Sequence, residues 1–321
     1  MAATTSGSET MLVIHLRPSR VKAREAAVAE VVAILRDLGG RPVPGGPLSE
    51  VRGVAWAAVP TANVAPAVRR LSGLGYSGAV DVVRPPDDAV EVPHSRSEVA
   101  RWKRGDVELL RVYEESDERL RSSAPDRRTF LLECGDGVVR PIAGYRGGRG
   151  PLDHRALPVE DARLLVNLVA SATGGLLLEP FAGAGGVVIE ARSRGWTVAS
   201  VDRDPTLRFG LQRLSSQHLV GDAPALPFRD ASVDAVATEP PHHPSATGVV
   251  AESMREIGRV LRPGGRASAL VATHQADAVR RAAEEAGLTI ELSGRIDRKG
   301  TDVTCLCWLR PHEAPPPARR S

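Results

Sequence analysis

A chain of 321 residues with 42% hydrophobic and 25% charged side chains is ordinary globular material, about twice the length of one domain. The formal net charge is only +3, from 42 basic and 39 acidic side chains, so charge by itself singles out no nucleic-acid partner. Apolar runs such as Val54–Val59 stop far short of the ~20 residues that cross a bilayer. The opening MAATTSGSET lacks the basic and apolar regions of a signal peptide, which points away from membrane and secreted classes.

Residues 1–10 are small and polar and are expected to be disordered. Residues 11–143 read as a smaller α/β N-terminal domain. Its elements are a strand (Met11–Leu16), a helix (Val21–Leu38), a Gly/Pro loop (Gly39–Pro47), a strand (Val54–Val59), a helix (Ala62–Leu74) and a strand (Ser77–Val83). The first helix rests on the apolar spacing of Ala27, Val31, Ile34 and Leu38, with charges falling between. Pro85–His94 reads as a linker. Val107–Tyr113, Thr129–Glu133 and Val138–Pro141 read as short strands of a second small sheet. The Gly/Arg-rich segment 144–156 is a linker or an arginine-bearing arm suited to phosphate.

From residue 157 to about 310 strands and helices alternate, which predicts a mostly parallel sheet covered on both faces. The helices are Val159–Ala172, Gly186–Ser193, Thr206–Ser215, Val249–Leu261 and Gln275–Ala286. The strands are Leu176–Leu178, Thr197–Asp202, His218–Gly221, Val233–Thr238 and Arg266–Ala272, then Thr289–Arg295 and Asp302–Leu309 as a terminal antiparallel hairpin. Residues 311–321 are a proline-rich tail, expected to be disordered. The three cysteines, Cys134, Cys305 and Cys307, make no disulfide framework and no CxxC pair, so a reduced, cytoplasmic setting is expected. His242, His243 and His274 lack metal-ligand spacing, and no metal is expected. Arginine supplies nearly all the positive charge, a pattern that GC-rich coding produces without any phosphate-binding role.

The chemistry concentrates at strand ends. Glu179-Pro-Phe-Ala-Gly-Ala-Gly-Gly186 joins a strand to a helix, and Gly183 and Gly185 allow a tight turn and close approach of a ligand. Asp202 ends the next strand, where a carboxylate accepts both hydroxyls of a ribose. Gly221-Asp222-Ala223 follows the third strand, within reach of an adenine amino group. A dinucleotide dehydrogenase fits less well, because the full GxGxxG spacing and a second mononucleotide-binding half are missing.

Glu179-Pro180-Phe181-Ala182-Gly183-Ala184-Gly185 resembles the (Asp/Glu)-Pro-Phe-x-Gly-x-Gly signature of class I S-adenosylmethionine-dependent methyltransferases that act on exocyclic amino groups. The stretches from Gly221 to Phe228, from Asp230 to Val236 and from Arg259 to Gly265 are similar to that family's following segments. Ala156–Leu168 resembles the segment before the glycine strand in the THUMP-associated tRNA guanine-N2 methyltransferases. The resemblance covers about half the chain. It implies a Rossmann-like class I methyltransferase domain, S-adenosylmethionine as cofactor and tRNA as partner, while the protein partner is left open. It also implies that Glu179, Phe181, Gly183 and Gly185 lie at the cofactor's methionine end, Asp202 at its ribose, and Asp222 and Ala223 by its adenine.

The family's amine-orienting (Asp/Asn)-Pro-Pro-(Tyr/Phe) stands here as Glu239-Pro240-Pro241-His242. In that scheme an acceptor oxygen and a proline-fixed carbonyl hold the amine hydrogens, and a flat ring stacks on the base. Glu239 lengthens the acceptor by one methylene, and His242 replaces the larger aromatic ring. The same sequence also admits a methyltransferase of a small molecule or DNA base, and a non-catalytic module that keeps the fold.

Overall fold

The structure, a computed structural model, describes residues 9–43, 53–83, 101–104, 107–114, 129–133, 139–143, 157–170, 174–215, 217–298 and 301–312. The expected linker at Pro85–His94 and the Gly/Arg-rich segment lie outside these residues. The chain divides into two compact units, residues 1–129, 143–173 and 294–302 in one, and 130–142, 174–293 and 303–321 in the other.

The first unit is built on β1 (Glu9–Leu16), α1 (Arg24–Ile34), β2 (Arg41–Pro42), β3 (Val54–Pro60), α2 (Val64–Arg70), β4 (Ser77–Val83), β5 (Arg101–Arg104) and β6 (Val107–Glu114). Its six-stranded sheet runs β2-β3-β1-β4-β6-β5. The paired strands are antiparallel, with β1 between β3 and β4. Val13 faces Trp56 across β1 and β3, and the pair packs with Val54 and Leu109. The strand beginning at Val107 was expected in a second sheet with its two successors. Instead β6 extends the first sheet, while among the described residues β7 (Thr129–Glu133) pairs with β8 (Val139–Ala143) alone.

The next helix, α3 (Val159–Leu168), belongs to this unit and is anchored by buried polar groups. The Glu30 carboxylate accepts the Gly75 and Tyr76 amides at 2.6 and 3.0 Å and the Asn167 amide at 2.7 Å. Asp161 accepts the Tyr76 hydroxyl at 2.8 Å and the Arg20 guanidinium at 3.0 Å. Both carboxylates are fully buried, and these donors replace the water they have lost.

The second unit alternates as expected. It contains β9 (Leu176–Glu179), α4 (Gly186–Ser193), β10 (Thr197–Asp202), α5 (Arg208–Leu214), β11 (Gln217–Val220), β12 (Val233–Thr238), α6 (Thr247–Val260), β13 (Leu261–Ala272), α7 (Ala276–Glu285) and, apart from residues 294–302, β14 (Thr289–Arg298) and β15 (Thr301–Leu309). The seven strands run β11-β10-β9-β12-β13-β15-β14. The first five pair in parallel, and β15 runs antiparallel to β13. Helices cover the sheet, so β12 is buried along nearly its whole length, with an apolar centre at Ala235–Ala237 between Asp234 and Thr238. The core gathers Leu178, Val201, Val236, Met254, Val271, Leu306 and Trp308. Arg262–Gly265, expected as a turn before the strand, is an excursion within β13, where the register steps from Val233 opposite Leu261 to Ala235 opposite Arg266.

This order fixes where a ligand can bind. The chain starts at the central β9, builds outward through β10 and β11, and returns to the other side for β12 and β13. The connections leaving β9 and β12 therefore part in opposite directions, opening a crevice at the carboxyl ends of these strands.

Candidate active site

β9 delivers Glu179 to that crevice, and the turn after it is held from two sides. The Ala182 amide donates to the Val201 carbonyl of β10 at 3.0 Å, and the Gly185 amide to the Ala182 carbonyl at 2.8 Å. Gly185 has φ +81°, a backbone conformation that favours glycine, and a Cβ there would lie 2.4 Å from Leu214 Cδ1, which would have to move aside. α4 starts at the next residue.

Glu179 itself is 1% exposed. Its Oε1 accepts the Phe181 amide at 3.0 Å and the hydroxyl of Thr238, the last residue of β12. Burial pushes the Glu179 carboxyl up to about 8, and the nearby Asp202 and Glu239 carboxylates push it the same way, against the bonds from Thr238 and Phe181. This favours the protonated, uncharged form of the side chain at neutral pH.

Asp202, half-buried at the end of β10, is bonded through each oxygen. Its Oδ2 accepts the Gly183 amide at 2.8 Å, its Oδ1 accepts the Asp204 amide at 2.9 Å, and its own carbonyl accepts the Gly221 amide at 3.0 Å. Each carboxylate oxygen accepts two bonds, so Asp202 braces the glycine turn and keeps acceptor capacity for a ligand. Asp222 is exposed just past β11, and Ala223 beside it is buried. The loop beyond them is clamped from α6. Glu256 accepts the Leu226 amide at 2.9 Å, and Arg259 donates to the Leu226 and Phe228 carbonyls at 3.0 and 2.8 Å.

At the end of β12, Glu239 and His242 are half-buried, Pro240 is buried and Pro241 is exposed. His242 Nε2 lies 3.4 Å from Glu239 Oε1 and 3.3 Å from the Leu270 carbonyl of β13. The buried Gln275 donates from Nε2 to the Pro241 carbonyl at 3.0 Å and to the His243 carbonyl at 3.4 Å.

All the residues singled out from the sequence thus stand at or just past the carboxyl ends of β9, β10, β11 and β12. Thr238, Gln275, Glu256 and Arg259 were not singled out for the work they do. Each acts on backbone groups or on a carboxylate distant in sequence, and no local spacing announces that. Among the described residues no group of three or more His, Cys, Asp or Glu side chains is placed to hold a metal ion.

Residues 178–269 match a family model described as a methyltransferase domain. TrmN from Thermus thermophilus aligns over 94% of this chain and 99% of its own, at 15% identity and TM-score 0.51. Geranyl diphosphate C-methyltransferase from Streptomyces coelicolor A3(2), solved with Mg2+, geranyl diphosphate and S-adenosyl-L-homocysteine, covers 46% of this chain and 78% of its own at 16% identity and TM-score 0.39. A geranyl diphosphate methyltransferase solved with SAM covers 49% and 86%, at 17% identity and TM-score 0.41. Residues 178–269 thus match a methyltransferase domain set within a Rossmann-like fold, and an α/β region precedes it.

Proposed function

We propose that this chain is an S-adenosylmethionine-dependent N-methyltransferase acting on an exocyclic amino group, with guanine N2 in tRNA as the acceptor. The observation that carries this reading is the placing of four carboxyl side chains, Glu179, Asp202, Asp222 and Glu239, at or just past successive strand ends around one crevice. The cofactor is cationic at its sulfonium and ammonium groups, and the Asp202 and Asp222 carboxylates, at the end of β10 and just past β11, favour it. The residues fit it chemically: Asp202 has acceptor positions left for ribose hydroxyls, and Asp222 and Ala223, just past β11, would hold the adenine. Phe181, Gly183 and Gly185 shape the turn at the methionine end. When bound, the cofactor supplies an electrophilic methyl group.

The remaining work belongs to the chain. Glu239 and the proline-fixed carbonyl after it accept the hydrogens of the acceptor amine and aim its lone pair, while the His242 ring stacks on the base. Transfer then depends mainly on position, and the amine loses its proton as the new N–C bond forms. The similarity over nearly the whole length to TrmN, together with the Ala156–Leu168 resemblance, supports tRNA over a small molecule.

Incubation with labelled S-adenosylmethionine and unmodified tRNA, followed by nucleoside-resolved mass analysis, tests this reading. The expected product is N2-methylguanosine. Cofactor binding with no methylated nucleoside would remove the tRNA assignment and favour a small-molecule acceptor or a silent scaffold.

A further inference from the structure

The loop Glu239-Pro240-Pro241-His242-His243-Pro244 has a peculiarity written in its composition. Three of its six residues are proline and lack an amide hydrogen, so the loop is rich in carbonyl acceptors and poor in donors. It is ill equipped to fix its own shape by internal backbone bonds, and donors must come from outside.

Gln275 supplies one to the Pro241 carbonyl and a second to the His243 carbonyl, which also accepts the Ala246 amide at 2.9 Å. It closes the short turn Thr273–Gln275 between β13 and α7, and it is completely buried. Its Oε1 accepts the Ala272 amide at 3.2 Å, the bond a capping side chain makes at a helix start. Its Nε2 has two hydrogens, directed to the Pro241 carbonyl at 3.0 Å and the His243 carbonyl at 3.4 Å. The capping bond needs only an acceptor, and glutamate serves that purpose as well as glutamine. The amide nitrogen is required solely by the proline-rich loop.

We infer that Gln275 is a positioning residue for methyl transfer: through the carbonyls on either side of His242 it fixes the loop that carries Glu239 and His242. This rests on the proposed reading of that loop as the amine-orienting element. Gln275 acts on the acceptor side, and its loss should register in turnover more than in cofactor affinity.

The difference between glutamine and glutamate gives the test. In the full chain, Gln275→Glu keeps the acceptor for Ala272 and places against the two loop carbonyls a carboxyl group that donates at most one bond, and none once ionised at high pH. Gln275→Met removes the donors without introducing a charge. Cofactor affinity, kcat and KM for tRNA, and amide hydrogen exchange over residues 242–247 are measured for both variants and for the natural chain.

The expected result is cofactor affinity within about 2-fold of the natural chain, kcat lower by about 10- to 100-fold as for a reacting group displaced by ~1 Å, and faster exchange in the loop. Unchanged kcat in both variants, with the natural chain active, would overturn the inference. Equal collapse of cofactor affinity and kcat would also overturn it, by making Gln275 a general structural support. If the natural chain transfers no methyl group, the underlying reading of the loop fails, and the exchange data separately decide whether Gln275 anchors it.

Discussion

Glu179 illustrates how burial decides what a carboxyl group does. Its place at the end of a strand was legible from the sequence, but its protonation was not, because that depends first on its burial and then on the Asp202 and Glu239 side chains brought near by folding. Its carboxyl titrates at about 8 in the folded chain against an ordinary value of 4.5. Between these values the folded chain holds a proton that the unfolded chain releases, so this group's contribution to stability is full below about pH 4.5 and is lost as pH rises to about 8. The loss is on the order of a few kcal/mol. Glu179→Gln keeps the acceptor for Phe181 and Thr238 and should abolish this component of the pH dependence. Thermal unfolding of the cofactor-free protein from pH 5 to 9 checks it, and parallel curves for the two proteins would contradict it. Glu239 belongs to the same scale. Glu239→Ala should lower kcat by about 10- to 100-fold with cofactor affinity nearly intact, since its proposed role is to aim the acceptor amine.

The glycine turn and the strand ends were readable because their residue types are forced. Turns at positive φ favour glycine, and parallel strands buried on both faces become near-continuous apolar runs. Helix lengths were less legible. The first helix was expected over Val21–Leu38 but covers Arg24–Ile34, giving way to short turns on either side. Apolar spacing does not distinguish these turns from a regular helix. The pairing of β6 with β4 was hidden, because β4 precedes it by a long connection, while the terminal hairpin of β14 and β15 was legible from its short connection. Gly185→Ala tests the turn itself. The positive φ and the close approach of Leu214 should cost about 1–3 kcal/mol, read by urea unfolding, together with weaker cofactor binding. A variant as stable as the natural protein would show that the turn adapts.

Across the whole chain, the alternation of strands and helices after residue 174 made the catalytic fold legible, while the first unit was readable only as α/β. The side chains that anchor α3, Glu30 and Asn167, are far apart in sequence, so nothing local assigned that helix to the first unit. The near balance of 42 basic and 39 acidic side chains hides any local basic surface, which salt dependence can reveal. If several arginines contact tRNA phosphates, affinity should fall by about 10³-fold or more between 50 and 200 mM salt. A flat salt response would argue for a small acceptor.

Calorimetric titration of S-adenosylmethionine into the natural chain, Asp202→Ala and Glu239→Ala bears most directly on the crevice at the ends of β9 to β12. Saturable binding is expected for the natural chain, within about 2-fold for Glu239→Ala, and weaker by about 10- to 100-fold for Asp202→Ala, which loses charge-assisted hydrogen bonds. No binding by the natural chain, or equal affinity in natural chain and Asp202→Ala, would contradict the assignment of that crevice to the cofactor.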